Sequence, residues 1–88
     1  MTAKKKRVEF KIFAPDAEQV GLTGSFNDWS EKSDPMKRDK TGKWKKAKML
    51  PQGKHEYKFI VDGEWISDPD CADTVQNEYG TANSVVEI

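Results

Sequence analysis

Eighty-eight residues, 35% hydrophobic and 34% charged, suffice for one small core and are too few for two, so a multi-domain enzyme is excluded. Fifteen basic residues against fifteen acidic ones leave no net charge, which argues against nucleic acid or an anionic membrane as the partner. One cysteine, Cys71, and one histidine, His55, allow neither an internal disulfide nor a Cys/His zinc site. The lone thiol fits a reducing, cytoplasmic setting. No window nears the roughly 18 apolar residues of a membrane span, and no apolar segment of a secretion signal follows Met1.

Lys4 to Arg7 form a basic run, read as a solvated tail in preference to a nuclear address or a phosphate contact. Residues 1–6 are therefore expected as a flexible tail and residues 7–88 as one domain. Val8, Phe10 and Ile12 alternate with Glu9 and Lys11, which predicts a half-buried strand from Arg7 to Phe13, stopped by Ala14-Pro15-Asp16. Val20 and Leu22 repeat the alternation in a shorter strand. Ser25 to Ser30 is rich in residues that bond their own backbone, so Trp29 is placed on a loop.

Pro35-Met36-Lys37 extends briefly before the turn Asp39-Lys40-Thr41-Gly42. Between Lys43 and Leu50 neither parity is apolar, since Trp44 and Leu50 alternate with Lys46 and Lys48; a bulge or an exposed edge guarded by lysines is expected. His55 to Val61 gives the clearest strand, with Tyr57, Phe59 and Val61 on one face. Asp62-Gly63 is a preferred type I′ pair. A two-residue loop sets Val61 opposite Glu64, Ile60 opposite Trp65 and Phe59 opposite Ile66. Directly paired residues share a face, so Trp65 and Lys58 fall together on the side away from the core. Cys71 to Ala82 shows no periodicity and reads as a long loop, and Ser84 to Ile88 as a last strand. The elements predict an all-β antiparallel sandwich.

Catalytic motifs are absent: there is no P-loop, no nucleophile elbow and no HExxH pair, and His55 has no local Ser or Cys partner. Asp68, Asp70 and Asp73 resemble the start of a calcium loop, but Gly is missing at its turn and Tyr79 stands where the closing Glu belongs. A sandwich this small gives little depth in which to desolvate one of two glycosidase carboxylates. No catalytic residue, metal or cofactor is expected. Exposed rings remain: an indole can cover the C–H patch of a sugar while ammonium, amide and hydroxyl groups bond its hydroxyls. Trp29, Trp65, Tyr79, Lys58, Thr81 and Asn83 are the right residue types, although a Trp covering one end of the sandwich explains each indole equally well.

The segments TGSFNDWS, PQGKHEYKFIVDGEWISDP and YGTANSVVEI, in that order, resemble the family-48 carbohydrate-binding modules, which include the glycogen-binding domain of the AMP-activated protein kinase β subunit and isoamylase-type early-set domains. The resemblance implies an immunoglobulin-like early-set sandwich that binds α-1,4-linked glucans without cleaving them. It implies Trp29 and Trp65 as stacking platforms and Lys58 and Asn83 as hydroxyl-bonding residues, with Tyr79, Gly80 and Thr81 in the neighbouring loop. Tyr79 departs from the aliphatic residue of the kinase relatives, and Lys46 and Lys48 depart from a more apolar strand. The competing expectation is a protein-interaction or spacer domain of the same fold that docks on a kinase or an α-glucan enzyme. Single-strand nucleic-acid binding also uses ring platforms but needs a basic groove that the charge balance does not favour.

Overall fold

The computed structural model describes residues 5–71, 73–77 and 80–88. Eight strands appear among them: β1 (Lys5–Phe13), β2 (Val20–Gly24), β3 (Lys37–Arg38), β4 (Lys43–Pro51), β5 (Lys54–Val61), β6 (Glu64–Ile66), β7 (Thr74–Gln76) and β8 (Ala82–Glu87). A 3₁₀ turn at Ser25–Asn27 follows β2, and no helix among the described residues is long and apolar enough to cross a membrane. One sheet runs β1-β4-β3; the other runs β2-β5-β8-β7, with β6 paired to β5 beside β8. Every pairing is antiparallel.

The core lies between the sheets because alternate side chains of each strand point inward. Phe10, Ile12, Trp44 and Leu50 come from the first sheet and meet Val20, Leu22, Tyr57 and Phe59 of the second. Phe10 packs edge-on against Tyr57 with ring centroids 4.8 Å apart, a direct contact across the layers. The chain is an antiparallel β-sandwich, the class its alternation implied.

The hairpin register is the one the Asp62-Gly63 pair dictates: Phe59 faces Ile66, Ile60 faces Trp65 and Val61 faces Glu64. Both turn residues have positive φ, 49° and 89°, as a type I′ turn requires. Asp62 then ties the turn to the segment leading into β2, accepting from the Glu18 and Gln19 amides at 2.9 and 2.8 Å.

Three expectations are corrected. β4 has no bulge: it pairs with β1 over nine consecutive residues, Lys5↔Pro51 to Phe13↔Lys43, while β3 pairs on its other side at Trp44 and Lys45 alone, so the lysine-bearing half keeps an open edge among the described residues. Its even positions share one face, where Trp44 and Leu50 are buried and Lys48 binds the carboxylate of Asp34. Polar ends on an inward face blurred the alternation. Second, the stretch expected as a long loop contains β7, whose residues are all exposed. Its pairing with β8 makes it a strand, and backbone pairing leaves no mark in side-chain polarity. Third, β1 begins at Lys5, two residues ahead of the expected start, so Lys5 and Lys6 pair with Pro51 and Leu50. Residues 1–4 lie outside the described part.

Candidate glucan-binding site

The face of β5 turned away from the core carries Glu56, Lys58 and Ile60, and it continues onto Trp65 of β6 and Asn83 of β8 through the ladders. Beside it lies an open cavity of about 770 Å³ lined by Ser25, Trp29, Glu56, Lys58, Trp65, Asn77, Thr81 and Asn83.

The loop carrying Trp29 is built around Asn27. Its Oδ1 accepts from the Gly24 and Ser30 amides at 3.0 and 3.3 Å, while its Nδ2 donates to the Leu22 carbonyl at 3.1 Å and to Asp34 Oδ2 at 2.8 Å. Asp34 is only 6% exposed and receives the Lys48 ammonium on both oxygens at 3.1 Å. Burial alone would raise its pKa, but the Asn27 and Lys48 donors outweigh burial and hold the carboxyl below the usual range. Above this network the chain turns back through Asp28 and Trp29, both left-handed at φ 56° and 59°. Such a conformation is unfavourable for a bulky residue and persists only where the surroundings enforce it. The Trp29 amide donates to the Gly24 carbonyl at 2.9 Å. Gly24 itself admits no side chain, since a Cβ there would come within 2.5 Å of the Glu56 carbonyl oxygen.

Trp65 reaches the same cavity from the other side, on the regular β5–β6 ladder, and is 39% exposed. The two indoles lie nearly parallel, 23° between planes, with centroids 6.4 Å apart. A pyranose held between two ring faces needs about 7–8 Å, twice the carbon–carbon contact distance. The stacked indoles therefore line one side of the same cavity and leave no slot for a sugar between them.

The polar side of the cavity is a chain of shared hydrogen bonds. Lys58, 6% exposed, donates from Nζ to Thr81 Oγ1 at 3.0 Å. Asn77 Nδ2 donates to the same oxygen at 2.8 Å and to Asn83 Oδ1 at 2.9 Å, and Asn83 Nδ2 donates to Glu56 Oε1 at 3.0 Å. Thr81 Oγ1 thus accepts twice, which leaves its O–H to donate. Lys58 has no carboxylate within ion-pair distance among the described residues and uses one of its three N–H donors on Thr81. Remaining donors and the second Glu56 oxygen give a mixed edge suited to hydroxyls, which both donate and accept.

Of the residues singled out from sequence, Trp29, Lys58, Trp65, Thr81 and Asn83 come together in this cavity. Gly80 is exposed next to it at φ 78°, its amide bonded to the Asn77 carbonyl at 3.3 Å. Tyr79 lies outside the described residues. Sequence reasoning missed Ser25, Glu56 and Asn77. Glu56 was within reach, because it precedes Lys58 by two residues on one strand face; Asn77 sits in the unperiodic stretch and carried no signal. Asp68, first of the calcium-like aspartates, accepts from the Tyr57 hydroxyl at 2.6 Å and from the Asp70 amide at 2.9 Å. Burial and that carboxylate both push the Tyr57 phenol far up.

Residues 8–88 match the family described as the glycogen recognition site of AMP-activated protein kinase. The chain belongs to this family. Among its relatives, the 5'-AMP-activated protein kinase subunit beta-1 of Sus scrofa is 38% identical over 71 residues, 81% of this chain and 55% of that protein. The beta-1 subunit of Bos taurus is 39% identical and the beta-2 subunit of Mus musculus 37%, each over 71 residues and 25% of the relative's length. The chain thus spans between a quarter and about half of these relatives. The family's description names a recognition site, a binding role.

Proposed function

We propose that the cavity binds α-1,4-linked glucan, without cleaving it, by laying successive glucose units against the Trp29 and Trp65 indoles while Lys58, Thr81 and Asn83 bond their hydroxyls. The observation that carries this reading is the pairing of two near-parallel indoles with a buried ammonium at one cavity. Flat rings cover sugar C–H patches, and Lys58 gains from a hydroxyl what the described residues do not supply. Tyr79 and Gly80 are proposed to complete the loop side of the site. Stacking against a water-competed, open surface gives modest affinity, a dissociation constant of roughly 1 μM to 1 mM.

Titration with maltoheptaose, followed by Trp fluorescence, tests the proposal, with cellohexaose as the stereochemical control. Saturable quenching by the α-linked sugar alone is expected; an equal response to both sugars defeats the assignment. The titration should hardly change between low and moderate salt, unlike binding through phosphate contacts. We also propose a kinase as the protein partner, by extension from the relatives, and the reducing cytoplasm as the working compartment, which the free thiol Cys71 suits.

A further inference from the structure

We propose that Glu31 is a positioning residue for glucan binding: its carboxylate fixes the Trp65 indole, so that the loop carrying one ring of the platform also holds the other. This rests on the reading of the cavity as a glucan site. Trp65 Nε1 donates to Glu31 Oε1 at 3.1 Å. Glu31 follows Trp29 by two residues, whereas Trp65 stands on a separate hairpin 34 positions away. The bond therefore couples two segments whose rings stack at one cavity.

The carrier of the carboxylate is itself held in place. Ser30 Oγ accepts from the Lys32 and Ser33 amides at 3.3 and 3.2 Å and from the Ser33 hydroxyl at 2.8 Å, which rounds off the chain on either side of Glu31. The segment is pinned to β2 by the Leu22 amide donating to the Asp34 carbonyl at 2.9 Å. The Glu31 backbone lies beside β2, where a Cβ on Gly21 would stand in ordinary contact, 3.4 Å from the Glu31 carbonyl oxygen.

The lock matters because a ring freed of this bond would have open space on the far side of Glu31 as well. A second hollow of about 590 Å³, floored by Met36, Trp44 and Ile60, borders Glu31, and Ile60 is the cross-strand neighbour of Trp65. An exposed ring on a three-residue strand would rotate between the two hollows, and each binding event would then lose affinity in proportion to the misplaced fraction. The bond also occupies the indole N–H, so the ring offers ligand its π face alone.

The test is a comparison of Glu31→Ala, Glu31→Gln and wild type by maltoheptaose titration and by the ¹⁵N–¹H resonance of the Trp65 indole. Glu31→Ala should bind about 3- to 10-fold more weakly, the range for one lost hydrogen bond, with an upfield indole proton and an unchanged melting temperature. Glu31→Gln keeps an acceptor oxygen and should stay within about 2-fold of wild type. In a Trp65→Phe background, which has no N–H to hold, Glu31→Ala should cause no additional loss. Wild-type affinity and an unshifted resonance in Glu31→Ala overturn the inference, as does a Glu31→Gln variant as weak as Glu31→Ala. If wild type itself binds no maltoheptaose, the glucan reading fails, while the resonance comparison still decides whether Glu31 fixes the ring.

Discussion

The two indoles of the platform are placed by opposite means. Trp65 rides on a two-residue turn and a regular ladder, where local rules fix both register and face. Trp29 sits on left-handed backbone above a buried Asn27–Asp34–Lys48 network that joins β2, the following loop and β4. The backbone under one ring is placed by geometry that any good hairpin supplies; the backbone under the other depends on three side chains meeting from distant parts of the chain. The lesson is that equal roles at one site do not imply equal robustness, and the Trp29 side should fail first under mutation or acid.

The sharpest way to break the comparison is Asn27→Ala, which strips four hydrogen bonds and leaves Asp34 with fewer donors. A loss of about 3 kcal/mol in urea unfolding is expected, together with loss of maltoheptaose binding. Stability within error of wild type would mean that Trp29 is held by other contacts. Trp65→Ala should do the reverse. Binding should weaken roughly 30-fold, about 2 kcal/mol of stacking, while stability changes by less than about 1 kcal/mol because the ring is partly exposed. Large destabilisation would assign that indole to the core.

Lys48→Met probes the same contrast through pH. The Asp34 pKa is depressed in the fold, so its contribution to stability is present above the unfolded value near 3.8 and is lost as pH falls through the lower folded value. Without Lys48 one of the forces depressing that pKa is gone, so acid unfolding should begin at higher pH than in wild type. Urea midpoints at pH 6 and pH 3 measure this, and parallel losses in both proteins would remove Lys48 from the account. Smallest in effect is Gly63→Ala on the hairpin side. Nothing lies within 4 Å of a Cβ there, so only the positive φ of 89° opposes it, for about 1 kcal/mol with the sugar affinity nearly intact.

The hairpin shows how far local information reaches. Asp62-Gly63 and the alternation of β5 placed Trp65 and Lys58 on one side of the sheet, and they are found there. The same reasoning left Ile60 on the open side, yet it is 8% exposed, because its neighbours on that face include Trp65 and Gly21 of the flanking strands. β4 shows where local information ends. Lys46 and Lys48 read as edge lysines, whereas the fold turns them toward Asp34, with ammonium to carboxylate distances of 3.9 and 3.1 Å. β7 was invisible for a related reason, since its only qualification as a strand is the partner β8.

Alternation and turn chemistry act between residues a few positions apart, so the order of the amino acids by itself determined the sandwich, the hairpin register and the side of the sheet on which Lys58 and Trp65 lie. The residues able to bind a sugar were likewise legible as types. Only the tertiary structure decided that the two indoles stack at one cavity, that Asp34 is buried beneath one and Glu31 bonded to the other, and that Asn77 links Thr81 to Asn83. Each of those contacts joins groups whose meeting depends on how the strands are packed, and their energies exist only once the sheets have closed.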